Sequence, residues 1–273
     1  MKVLIAPTDF SDSSLRAIKY ALYQFDEEPI RLHLLHVYTP LPISGRFFAS
    51  SDAGEYGGLA SQDSANKQME LFQSRLLEQT YPSLSIYPHV TFSLLNHALE
   101  DLITEYDPDL IITSTQKSDD LQVLFNGSST SKVLHSLNGI PLLVVPNTTD
   151  LKPLKRIGLA INPTETLQNQ ILKTMDSIIE SLHLDKIFIK VLDDPIFKKA
   201  EKNLEKVEND ELLEKSKTIS ETIERYCRTH EVSILGLLFH SRSWLYYLVH
   251  EPVIKKLLFS QSIPLLIFPQ KEV

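Results

Sequence analysis

The residues of this chain best suited to chemistry lie between Ser114 and Pro146. Gly127 and Ser128 stand where a loop runs into a helix, and Ser129 and Thr130 follow them. A helix start offers unpaired backbone N–H groups, and hydroxyls beside them complete a seat for an anion such as a phosphate. The same residues suit a plainer task, in which Gly127 turns the chain and Ser128 or its neighbour caps the helix. On the residues alone both readings stay open. Other reactive side chains combine less well. His33 and His36 sit three positions apart on one strand, so they face opposite sides and cannot share a metal ion. His240 and His250 are separated by an aromatic segment (Trp244, Tyr246, Tyr247) that reads as packing, and no cysteine stands nearby. Cys227 is the single cysteine, so no intrachain disulfide can form, and with no adjacent base it is expected to be inert. No metal-ligand spacing, nucleophile elbow, Walker loop or dinucleotide fingerprint occurs. The expectation is therefore no catalytic residue and no metal site.

Several elements must position the Gly127–Ser128 corner. Asp109–Thr113 is a short apolar strand behind an Asp107-Pro108 turn. Val133, Leu134 and Leu137 recur at helical spacing, and Asn138-Gly139 ends that helix. Leu142–Val145 is a continuous apolar run between Pro141 and Pro146, the pattern of a strand buried on both faces. Upstream, Val3–Ala6 is a strand and Ser11 a helix cap. Leu15, Ile18, Leu22 and Phe25 mark one helix face, and Arg31–Tyr38 is the next strand. Strand, helix, strand in that order favours a parallel sheet. Residues 39–62 hold four of the eight glycines and read as one loop, longer than the roughly 12–15 residues beyond which structureless loops are uncommon. A helix from Ser64 to Gln79, a strand over Leu84–Leu94 and a helical stripe of Leu99, Leu102, Ile103 and Tyr106 complete this half.

Thr148–Pro153 reads as a linker, and the pattern then restarts. Ile157–Ile161 is a strand, Leu167, Ile171, Met175 and Ile178 share a helix face, and Lys186–Val191, Val232–Leu238 and Leu265–Phe268 are further strands. Pairing Asp9 with Asn162, and Ile140-Pro141 with Ile263-Pro264, makes the second half a shorter copy of the first. The charged stretch from Phe197 to Thr229 reads as a helix with a solvated face.

With 273 residues and 42% hydrophobic content the chain can build two cores. A formal net charge of -8 without a long basic run argues against a nucleic-acid partner. No run approaches the ~18 apolar residues of a membrane span. A cytoplasmic protein is the expectation.

The segment KVLIAPTDFSDSSLRAIKYAL resembles the opening of the universal stress protein (UspA) family, and Asp109–Pro146 resembles its closing half. Two copies in one chain resemble the tandem members of that family. The resemblance implies two doubly wound, five-stranded parallel-sheet α/β domains of the adenine nucleotide alpha hydrolase-like type, residues 1–147 and 153–273, the second reduced. Some members bind ATP and others do not. In those that do, the closing half carries three glycines followed by Ser or Thr; the matching positions here are Ser114, Lys117 and Gly127, then Ser128. Asp9 matches the acidic residue that meets the nucleoside, and Val37 the strand end beside the adenine. A nucleotide site in domain one would thus use Asp9, Val37, Gly127, Ser128 and Ser129. Triphosphate needs close backbone N–H groups, which glycine permits, and Ser114 and Lys117 each add a side chain there. In the second copy Asn162 replaces Asp9, and His250, Glu251 and Pro252 stand at the helix start, where a carboxylate opposes phosphate. The expected function is a non-catalytic stress-response protein acting through protein contacts. The alternative is an adenine-nucleotide (ATP) sensor using domain one, with residues 40–58 as lid. The family's habit of pairing last strands implies that the two domains form a pseudo-dimer through Leu142–Val145 and Leu265–Phe268. Homodimerisation is then optional, and the protein partner is unidentified.

Overall fold

The computed structural model describes residues 1–25, 28–38, 52–79, 81–115, 137, 139–150, 152–161, 169–190, 225–239 and 263–269. Its contacts divide the chain into two compact units, Met1–Thr113 and Ser114–Val273.

The first unit runs β1 (Lys2–Pro7), α1 (Asp12–Gln24), β2 (Ile30–Tyr38), α2 (Asp52–Leu76), β3 (Leu84–Phe92), α3 (Leu95–Tyr106) and into β4 (Leu110–Thr115). Its strands lie in the order β3-β2-β1-β4, every pair parallel. The central strands are covered on both faces: Leu4, Ile5, Ala6, Leu32, Leu34 and Leu35 are all buried. That is why these segments read as apolar runs without alternation.

The helices follow their apolar spacing. Ser11 caps α1 by accepting from the Ser14 N–H at 3.2 Å, and Asp12 places a negative charge in the first turn, where the helix dipole favours it. Leu15, Ile18 and Leu22 are buried on its inner face. Among the described side chains of α2, Ala65, Met69, Phe72 and Leu76 are buried, a helical stripe, and Arg75 of this helix pairs with Asp12. Asp107 ends α3 in the left-handed conformation (φ 44°), its N–H donating to the Ile103 carbonyl.

One element departs from the expectation. The backbone of α2 is helical from Asp52, so the second part of the expected loop 39–62, with Gly54, Gly57 and Gly58, is helix. Once a helix is nucleated, each further residue adds a hydrogen bond for little extra entropy, and Ala53, Leu59 and Ala60 are strong formers. Each glycine lowers that gain without cancelling it. The first part of that loop lies outside the described residues.

The second unit contains β5 (Leu142–Pro146), β6 (Arg156–Ile161), α4 (Asn169–Ser181), β7 (Asp185–Lys190), β8 (Ile234–Phe239) and β9 (Leu265–Pro269). Its strand order is β5-β9-β8-β6-β7. The pairs within β6–β9 are parallel, whereas β5 meets β9 antiparallel, with Leu142 opposite Ile267, Leu143 opposite Leu266 and Val144 opposite Leu265. Every residue of β5 and β9 is buried. The two runs expected to pair as last strands therefore do so. Val232 and Ser233 follow a short helical stretch at residues 225–229, and Ser233 knots β8 to β6. Its hydroxyl accepts from the N–H groups of Lys155 (2.9 Å) and Arg156 (3.0 Å). The Phe197–Thr229 helix expected from the sequence lies mostly outside the described residues, as do Leu167 and the side chain of Ile171.

Candidate functional site

The carboxyl end of β1 lies where the strand order of the first unit reverses, with β2 and β3 on one side and β4 on the other. Open parallel sheets form their binding crevices at such points. The chain leaves β1 through Thr8, whose N–H donates to the Leu35 carbonyl at 2.8 Å. His36 Nδ1 lies 2.8 Å from the Thr8 carbonyl; a carbonyl only accepts, so Nδ1 carries the proton and donates. These two bonds clamp the start of the turn to the end of β2.

The turn itself is fixed by hydroxyls. Thr8 Oγ1 and Ser14 Oγ are 2.9 Å apart, and the Phe10 N–H donates to Thr8 Oγ1 at 3.0 Å. Ser14 Oγ donates to the Ser11 carbonyl at 2.9 Å. Phe10 takes a left-handed backbone (φ 65°), unusual for a bulky side chain. Its ring stacks on His36 at 4.1 Å and meets Phe72 edge-on at 5.9 Å, contacts that hold it in place.

Asp9 is exposed at the tip of this turn, and its Oδ1 accepts from the Ser11 N–H at 3.0 Å. Partial burial is the largest single influence on the Asp9 carboxyl and pushes its pKa up. The hydrogen bonds from the Ser11 side chain and backbone and from Ser14 together outweigh it, so the pKa is lowered. Asp9 is thus a fixed, ionised acceptor, suited to a donor such as a hydroxyl or an amine. Val37 is half-buried at the end of β2.

Of the residues expected to form the site, the structure thus places Asp9 and Val37 at one end of the first sheet. Gly127, Ser128 and Ser129 lie outside the described residues, as does Lys117; Ser114 is half-buried at the end of β4. Four contributors escaped the reading of the sequence: Thr8, Phe10, Ser14 and His36. His36 carried a signal, since alternation along RLHLLHVY puts it on the face opposite His33. Phe10 carried none, because its stack depends on β2 and α2. Among the described residues no hydrogen bond joins a hydroxyl of this turn to an imidazole. No group of three or more His, Cys, Asp or Glu among them is placed to hold a metal ion. No helix among them is long and apolar enough to cross a membrane.

A sequence model described as the universal stress protein family matches residues 1–146. No curated protein matches the chain. Among solved structures, a universal stress protein from Archaeoglobus fulgidus DSM 4304 superposes with a TM-score of 0.54 at 12% identity, covering 99% of this chain and 97% of that one. A functionally unknown protein from Pseudomonas aeruginosa PAO1 gives a TM-score of 0.52 at 13% identity, covering 98% of this chain and 92% of its own. At such identities the likeness shows the fold, an α/β arrangement dominated by parallel strands. The family match spans more than half of the chain and includes the turn just described, from Thr8 to Ser14: this chain belongs to the universal stress protein family.

Proposed function

We propose that this protein is a cytoplasmic, non-catalytic stress-response protein that works through protein contacts. In this reading residues 1–147 form one copy of the family domain and 153–273 a shortened second copy, joined as a pseudo-dimer. The observation that carries it is the state of the turn after β1. Thr8, Ser11 and Ser14 spend their hydroxyls on one another, on the backbone and on the Asp9 carboxylate, and His36 Nδ1 is spent on the Thr8 carbonyl. Among the described residues that leaves positioning groups at this turn and no hydroxyl of it bonded to an imidazole base. The substitutions Ser114 and Lys117 on the phosphate side, and Glu251 in the second copy, support the same conclusion. Purified protein incubated with ATP and Mg²⁺ is expected to release no phosphate above buffer. Release that disappears in Asp9→Ala contradicts the reading.

A second reading rests on Asp9 itself. An exposed, ionised carboxylate at the switch point of a parallel sheet, with Val37 nearby, is what the nucleoside end of an adenine-nucleotide site requires. Gly127, Ser128 and Ser129 would then seat the phosphates through backbone N–H groups. This sensor would bind ATP without hydrolysing it, and a ligand-dependent rise in melting temperature separates it from the contact reading.

A further inference from the structure

The other face of β2 carries a cluster that the site after β1 does not use. His33, only 2% exposed, lies with its Nδ1 3.0 Å from His89 Nε2 on β3. The two imidazoles stack with centroids 5.2 Å apart. Tyr87, directly opposite His33 in the strand register, stacks on it at 5.1 Å. Tyr106, the last residue of α3, lies over His33 at 4.0 Å and reaches His89 at 5.8 Å. One contact set thus joins β2, β3 and the end of α3.

We propose that the His33–His89 pair is an acid-operated latch that holds β3 and the end of α3 onto β2 at neutral pH and releases them on acidification. A ring-to-ring N–H···N bond needs one donor and one acceptor. The neutral pair meets that need, and so does the pair with one extra proton. Two extra protons set N–H against N–H at the same 3.0 Å and place two positive charges side by side. The surroundings decide when this happens. From β2 Arg31 opposes protonation; from β3 the facing groups are His89 and Tyr87; from α3 they are Glu105, which favours protonation, and Tyr106. Burial is the largest influence on both rings, and with His89 and Arg31 acting on His33 it outweighs Glu105, so both pKa values are lowered from 6.5. The sign follows: a histidine with a lowered folded-state pKa contributes stability that is full above the ordinary value and is lost as pH falls below it.

The latch matters because, beyond its backbone ladder to β2 and its packing on α2, β3 buries little. It is the outermost strand, none of its nine residues is buried, Phe92 is 61% exposed, and Pro88 has no N–H to give. Acid release would therefore be local, ahead of unfolding of the central strands.

Hydrogen exchange of the full chain at pH 7.5 and 5.5, corrected for intrinsic rates, tests this. Protection over residues 84–106 is expected to fall about tenfold more than over residues 12–24 on acidification. In His89→Gln, whose amide can accept from a protonated His33, that excess should shrink to the part that burial of His33 alone contributes; His33→Phe, which keeps the stack and removes the buried imidazole, should lower it as well. All other histidines are common to the three proteins, so the difference between wild type and variant isolates the pair. Should His33→Phe fail to fold, His89→Gln alone decides. Equal loss of protection in both segments, or an excess that is undiminished in His89→Gln, overturns the proposal.

Discussion

At the scale of single residues, the turn from Thr8 to Ser14 is held by hydrogen bonds more than by burial. Ser11 does two tasks: its side chain caps α1, and its N–H fixes the Asp9 carboxylate. Ser11→Ala removes the cap and is expected to cost about 1 kcal/mol, read by urea denaturation. The Asp9 carboxyl adds a pH signature. Its pKa is lowered from 3.8, so its contribution to stability is complete above that value and disappears as pH falls through the lowered one. Wild type should accordingly lose stability more steeply than Asp9→Asn when titrated below pH 4; parallel curves would show that the Ser11 and Ser14 bonds do not favour the ionised form. At this scale the cap was legible in the sequence, because a serine before an apolar helical stripe has a local meaning. The Phe10–His36 stack and the His33–His89 bond were not. Both need partners from other strands or helices, and the register between β2 and β3 is not written in either strand alone.

At the scale of elements, the strands could be read because burial on both faces imposes apolar runs, as in Leu4–Ala6, Leu142–Val145 and Leu265–Phe268. The start of α2 could not. Gly54, Gly57 and Gly58 signal a break by local propensity, yet the helix runs through them. Glycine has a different meaning in the second unit, where it permits close approach. A Cβ on Gly236 would lie 2.5 Å from Leu159 Cδ2 and 3.1 Å from Ile157 Cδ1, and both side chains are themselves buried. Their ends are flexible but have little room, so Gly236→Ala on β8 is expected to cost on the order of 1–3 kcal/mol through overpacking against β6. An unchanged denaturation midpoint would mean that Leu159 and Ile157 can move aside without loss.

At the scale of the whole molecule, the repeat in the sequence and the division by contacts differ at one strand. The proposed two-copy reading ends its first copy after Leu142–Val145, while contacts group β5 with the second unit, because β5 lies antiparallel along β9. In the proposed two-copy reading, a strand that closes one copy thus pairs with the strand that closes the other. Leu142, Leu143 and Val144 would be left at an open edge if residues 1–147 were produced alone, and that fragment is expected to dimerise, with Val144→Lys returning it to a monomer on size exclusion. A monomeric wild-type fragment would mean that β5 can satisfy itself without β9. The central claim is that a member of the universal stress protein family acts here through contacts and without holding a nucleotide. Thermal melting of the full chain with millimolar ATP, ADP or AMP tests it most directly, since a ligand at a hundredfold excess over its dissociation constant adds about 2.7 kcal/mol of stability. The account predicts the same melting temperature with and without each nucleotide. A dose-dependent rise that is absent in Asp9→Ala would contradict it and make the first copy a nucleotide sensor.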